Sequence, residues 1–274
     1  MSKKLKRTFY ERFVKRFLDV ILSLLALIIL SPLFLIIAIC SKIFIGGKII
    51  YAQPRPGKNG KIFKLYKFRS MNDKRGPSGA LLPDAQRITK FGKILRRLSL
   101  DELPQLVNIL RGDMSIVGPR PRLVSDMIFY DKEVFEGYRL RPGLTGLDQV
   151  SGGRSHSTWE MIFEKNLEYQ AKVTFWGDVK IILKTIVVLF KSDSASSGAE
   201  DAQRDYYYDT YLLRKHLITQ EQYNLGHARA AKLIAEKGVV EYQPDLHCHI
   251  DESVDESKAE EARIQQNEEE TDSE

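Results

Sequence analysis

The hydrophobic pattern divides the chain into one uninterrupted apolar run and a longer body in which apolar and charged positions alternate. Residues 20–40 carry no charge. As a straight helix this run measures about 30 Å, barely enough to cross the hydrocarbon core of a bilayer. Ser31-Pro32 lies in its middle. Proline removes a backbone donor and clashes with the preceding turn, so a break is expected there, and a serine hydroxyl can satisfy a carbonyl that the break frees. Further on, residues 48–53 read as a strand, 55–60 carry turn chemistry, and 61–71 alternate apolar and basic side chains. Two strands around a glycine-rich turn predict a hairpin. Residues 72–86 are polar and predict a loop. Residues 88–98 place Ile88, Phe91, Ile94, Leu95 and Leu98 on one face of a basic amphipathic helix. A helix over 103–110 should stop at Arg111-Gly112-Asp113. Met114 opens an apolar strand, and 138–150, with two glycine turns, predicts a loop feeding a short strand. Residues 159–173 and 176–190 have helical patterning. The second is too short to span a membrane and predicts a buried or interfacial helix. A Ser-rich linker follows at 192–199, then a helical hairpin over 205–237.

These elements predict an α+β fold: an N-terminal re-entrant membrane helix–break–helix (1–45), a small hairpin-containing cytosolic catalytic domain with amphipathic interfacial helices (46–192), a helical extension (193–250) and an acidic disordered tail (251–274). Charge sharpens this division. The formal net charge is +6, but residues 251–274 hold eleven acids and two bases, so the first 250 residues carry +15. A basic body selects polyanionic partners: phosphates, nucleotides, nucleic acid or an anionic membrane face. Basic residues flank the apolar run on both sides, Lys3 to Arg16 before it and Lys42 to Lys61 after it. A simple crossing would put one cluster on the wrong side of the membrane, which favours a segment that enters and leaves on the cytosolic face. Two cysteines, Cys40 and Cys248, make no disulfide framework and fit a reduced compartment. His247-Cys248-His249 lacks the spacing of zinc ligands.

The candidate chemistry centres on Ser99-Leu100-Asp101-Glu102-Leu103-Pro104-Gln105. Ser99 and Glu102 have capping-box spacing, whereas Pro104 favours a later helix start. Either way two carboxylates lie at a helix N-terminus, where the dipole should keep an aspartate ionised as a nucleophile or metal ligand. The plainer alternative is a pair of ordinary first-turn acids. Gly118-Pro119-Arg120-Pro121 restricts the backbone around Arg120 and holds its guanidinium ready for a phosphate or a base. Ser151-Gly152-Gly153-Arg154 is a second anion-friendly loop.

Taken in order, Ser31-Pro32, Lys67-Phe68-Arg69-Ser70-Met71, Leu98 to Gln105, Val117 to Pro121 and Arg141-Pro142-Gly143-Leu144-Thr145-Gly146 resemble the bacterial sugar transferases, the monotopic phosphoglycosyl transferases in their short form. The match runs from about residue 10 to 192, and Asp148 departs from the small or aromatic residue expected there. The resemblance implies transfer of a sugar 1-phosphate from a UDP-sugar to polyprenyl (undecaprenyl) phosphate at the inner membrane, initiating glycoconjugate synthesis. Asp101 is then the nucleophile and forms a phosphosugar–aspartyl intermediate with release of UMP. Asp101 and Glu102 hold Mg²⁺, and Lys67, Arg69, Arg96, Pro119, Arg120, Pro121 and Arg154 bind substrate. No nucleic acid is implied as a partner, while self-association and downstream glycosyltransferases stay open. A membrane-anchored nucleic-acid-binding protein would explain the basic body and leave the acid pair unused; a non-catalytic scaffold would explain the amphipathic helices and the tail. Because the motifs end before the linker, residues 193–274 are expected to be dispensable for chemistry.

Overall fold

The computed structural model describes residues 8–151, 158–191 and 207–246. A π-helical turn, Tyr10–Val14, runs into α1 (Lys15–Ile29). Leu30 leaves the helical conformation, and α2 (Ser31–Phe44) begins with Pro32 in its first turn. The two helices are bent by 62° at this break. Ser31 Oγ donates to the Ile28 carbonyl at 2.8 Å, the backbone rescue that the serine–proline pair predicts. Among the described residues no single helix is long and apolar enough to cross a membrane, but the bent pair meets that test together.

The hairpin forms as β1 (Ile50–Pro56) and β2 (Ile62–Phe68), antiparallel, with Ile50 opposite Phe68 and Pro56 opposite Ile62. The 72–86 segment is not all loop: it ends in the one-turn α3 (Asp84–Arg87). Next comes α4 (Lys90–Arg97), shorter than the predicted 88–98 because Thr89 accepts the Gly92 N–H as N-cap and Ser99 turns the chain with φ 53°. A 3-10 turn, Leu100–Glu102, precedes α5 (Gln105–Arg111), which ends at Gly112 as predicted. Then follow β3 (Ser115–Val117), α6 (Val124–Ile128), α7 (Lys132–Gly137) and β4 (Gly143–Thr145), with β4 parallel to β3. Helix α8 (Leu147–Ser151) stands where a loop and strand were expected. Segments of five or six residues make fewer than two turns, so α6, α7 and α8 leave no helical repeat to read. Helices α9 (Trp159–Ala171) and α10 (Phe175–Lys191) follow the predicted pattern, as do α11 (Tyr208–Arg214) and α12 (Gln220–Glu236) for the hairpin after the linker. Helices with two small sheets make the fold α+β, in line with the sequence.

Packing ties the N-terminal helices to the body. Ala26, Leu27 and Phe34 pack on Phe63, Leu65, Leu106, Ile109 and Met114, and Ile37 joins Phe68 and Leu95. Buried Asp19 accepts from Ser115 Oγ at 2.8 Å and the Ile116 N–H at 2.9 Å. Arg16 donates to the Ile109 and Leu110 carbonyls, satisfying acceptors that the end of α5 leaves open. The opposite faces leave Phe17, Ile28, Ile29, Leu35 and Ile43 exposed.

The extension is built into the same body. Leu212, Ile218, Ala230, Val240 and Leu246 share one core with Val124, Met127, Ile128, Phe129 and Tyr130. The Val240 N–H donates to the Gly60 carbonyl at 2.9 Å, and Val239 bridges Lys61 at the hairpin turn. Residue 193 is therefore no packing boundary: residues 207–246 share the core of the catalytic segment. The linker at 192–199, Arg154, the His247-Cys248-His249 triplet and the acidic tail lie outside the described residues.

Candidate active site

Close backbone approach assembles the site. A Cβ on Gly92 would lie 1.9 Å from the Ser70 carbonyl oxygen, so only glycine lets α4 settle against Ser70, two residues past the end of β2. There Arg96 Nε donates to Ser70 Oγ at 2.9 Å, which brings the Lys67–Met71 motif to the basic end of α4. After Ser99, whose carbonyl takes the Glu102 N–H at 3.2 Å, the chain turns through Asp101 and Glu102. The predicted capping box does not form: Ser99 makes no side-chain cap and is left-handed. The Glu102 carboxylate is directed at cations instead, with Lys67 Nζ at 2.9 Å and Arg120 at 3.6 Å.

Arg120 is held by the loop that the sequence singled out. The Gly118 N–H donates to the Thr145 carbonyl and the Gly143 N–H to the Pro119 carbonyl, each at 2.9 Å. A Cβ on Gly118 would lie 2.3 Å from the Arg141 carbonyl, so the loop closes onto the start of β4 only with glycine. Arg120 also donates to Gln149 Oε1 at 3.0 Å. The resulting cleft is lined by Lys67, Glu102, Arg120, Pro121, Arg122, Asp126 and Tyr207, among others. Asp101 sits beside it, 8% exposed. Burial pushes the Asp101 carboxyl up from its ordinary range and Glu102 adds to this, while Lys67 and Arg96 pull it down. This differs from the ionising helix dipole read from the sequence. A three-residue 3-10 turn has too few aligned peptides to act as one, so desolvation dominates.

Of the residues singled out in the sequence, Lys67, Arg96, Asp101, Glu102 and Arg120 converge, with Pro119 and Pro121 fixing the Arg120 loop. Arg69 does not join them: it is paired with Asp73. Ser31 and Pro32 form the bend far along the chain. Sequence reasoning passed over Arg122, Gln149, Asp126 and Tyr207. Arg122 was open to view as the next cation after Arg120; it stacks over the Trp159 ring, 4.7 Å from its centroid. Its guanidinium also lies 3.9 Å from Asp148. Asp148 is buried in α8, which raises its carboxyl's affinity for a proton, with Arg122 and Arg120 acting against this. Among the described residues no three His, Cys, Asp or Glu side chains converge as a metal cluster. The adjacent carboxylates of Asp101 and Glu102 are nonetheless a donor set that suits Mg²⁺, which binds through one or two carboxylates with substrate phosphates and water.

The bacterial sugar transferase family matches residues 10–192. The sugar transferase EpsL of Bacillus subtilis is 40% identical over 173 residues, covering 63% of this chain and 85% of EpsL. The exopolysaccharide production protein ExoY of Sinorhizobium fredii is 42% identical over 189 residues, 63% of this chain and 83% of ExoY. The UDP-glucose:undecaprenyl-phosphate glucose-1-phosphate transferase of Escherichia coli is 40% identical over 197 residues, which is 68% of this chain but 42% of that larger protein. With the match running through every motif that builds the cleft, the chain belongs to the bacterial sugar transferase family.

Proposed function

We propose that this chain is a UDP-sugar:polyprenyl-phosphate sugar-1-phosphate transferase working at the cytosolic face of the bacterial inner membrane. The observation that carries this reading is the buried Asp101 turn, with Glu102 bridged to Lys67 and Arg120, and Arg96 adjacent. An Asp101 carboxylate oxygen attacks the phosphorus that bears the sugar. The bond from that phosphorus to the bridging oxygen breaks, and UMP leaves with the oxygen and its electron pair. A phosphate oxygen of the polyprenyl acceptor then attacks the same phosphorus. The aspartyl–phosphorus bond breaks, which restores the carboxylate and yields a polyprenyl diphosphate sugar. Lys67, Arg96 and Arg120 neutralise the phosphate charge as it moves between oxygens. Asp101 and Glu102 would hold Mg²⁺, which would supply further charge neutralisation. The bent α1–α2 pair, with its exposed apolar face and basic flanks, supports a re-entrant membrane anchor that brings the cleft to the headgroup level. The name of ExoY, an exopolysaccharide production protein, supports a role for this chain in glycan synthesis.

The test is intact-protein mass spectrometry with UDP-sugar and Mg²⁺ but no acceptor. A gain of one sugar phosphate with about one equivalent of UMP per protein fits a covalent step. UMP release that strictly requires polyprenyl phosphate, with no adduct, removes Asp101 as nucleophile and leaves direct transfer.

A further inference from the structure

The family match ends at residue 192, yet the catalytic cleft does not. Tyr207, beyond it, is the one aromatic side chain among the described residues that line the cleft. It is 42% exposed, so part of the residue is accessible from solvent at the cleft. Its backbone is fixed. The Tyr207 carbonyl accepts the Tyr211 N–H at 3.0 Å to start α11. The next N–H, of Tyr208, donates to Asp126 Oδ1 at 2.9 Å, while Asp126 Oδ2 accepts the Leu123 N–H at 3.1 Å. One buried carboxylate thus ties the start of the extension to the segment that follows Arg120 and Arg122. The Tyr208 ring packs 5.1 Å from Trp159, the ring over which Arg122 lies.

Resting on the transferase reading above, we propose that Tyr207 is a donor-binding residue whose ring stacks on the uracil base of the UDP-sugar. The extension thereby completes the donor site. The cations of the cleft are matched to the diphosphate, and the phosphorus bearing the sugar must face Asp101. The base is the remaining flat π-surface of the donor, and an aromatic wall beside cations is the complement it needs.

The test uses the full-length protein in detergent, comparing wild type with Tyr207→Ala and Tyr207→Phe. Three quantities are read: KM for UDP-sugar, kcat, and the inhibition constant of UMP. Tyr207→Ala should raise KM and the UMP constant together by about 5- to 100-fold, the range of one base–aromatic stack, with little change in kcat. Tyr207→Phe, which keeps the ring, should stay near wild type, and a matched melting temperature shows that the fold is intact. Unchanged KM and UMP inhibition in folded Tyr207→Ala overturns the proposal. So does a change in sugar preference with UMP inhibition unaltered, because the ring would then face the sugar. If wild-type protein releases no UMP from any UDP-sugar, the transferase reading itself fails; UMP binding to wild type and variants by calorimetry still decides the role of the ring.

Discussion

Asp101 can act as a nucleophile only as an anion, and burial opposes that state. Desolvation and the neighbouring Glu102 both raise its proton affinity. The acid limb of kcat/KM should therefore lie above the ordinary aspartate range and move down in Glu102→Gln, which removes one of the two raising influences. A limb at or below the ordinary range would show that Asp101 is not the titrating group. Asp101→Asn should abolish the adduct, since an amide is a very poor nucleophile. Arg120→Ala should lower kcat/KM by about 10- to 1000-fold, the worth of one charged transition-state contact. Arg120→Lys should restore only part of it, because Arg120 reaches Glu102 and Gln149 at once through its planar fork. Steady-state kinetics on folded variants decide both.

At the scale of elements, the helix break and the α4 approach each hang on one residue. Pro32→Ala restores a backbone donor and should straighten the α1–α2 pair toward a true span. Cysteines introduced near residues 4 and 58 should label from the same side in the native sequence, and their sidedness should begin to diverge in Pro32→Ala. Opposite sidedness in the native sequence would rule out the re-entrant form. Gly92→Ala drives a Cβ into the Ser70 backbone. Overpacking of this kind costs about 1–3 kcal/mol, and it should also loosen the Arg96–Ser70 contact. A lower melting temperature together with reduced kcat/KM is expected; a fall in stability alone would separate α4 packing from catalysis.

For the whole molecule, the extension and the catalytic segment share one core. Ending the chain at residue 192 would expose Val124, Met127, Ile128, Phe129 and Tyr130, all buried against the extension. Each large side chain is worth about 1.5–3 kcal/mol of burial, against a total stability of about 5–15 kcal/mol. The shortened chain should fail to melt cooperatively, and a stable, active one would refute the shared core. Asp126 adds a pH signature to the same interface. Its carboxyl is pushed up to about 7, first by burial and then by Asp209, with the Leu123 and Tyr208 N–H groups and Arg122 opposing. Folded protein thus holds a proton there that the unfolded chain releases near 3.8. Its contribution is fully present below that value and is lost as pH rises through about 7. Melting temperature should decline over this window in wild type and less so in Asp126→Asn.

The sequence by itself determined the elements whose signals are local. The uncharged run with Ser31-Pro32, the alternation of β2, the long amphipathic helices and the stop at Gly112 each follow from periodicity or backbone restriction within a few residues. The family resemblance rested on the same local motifs, and it singled out Lys67, Arg96, Asp101, Glu102 and Arg120 before their positions were known. Tertiary structure decided what those residues face. Ser99 has capping-box spacing, but its left-handed turn gives Glu102 to Lys67 and Arg120. Arg69 lies two residues from Lys67 but pairs with Asp73, a partner that the strand alternation does not reveal. Asp126 and Tyr208 meet across 82 residues of chain, through a core that periodicity cannot reveal. Whether Asp101 favours its charged or its neutral form depends on burial, a property of the packed molecule that no stretch of sequence carries alone.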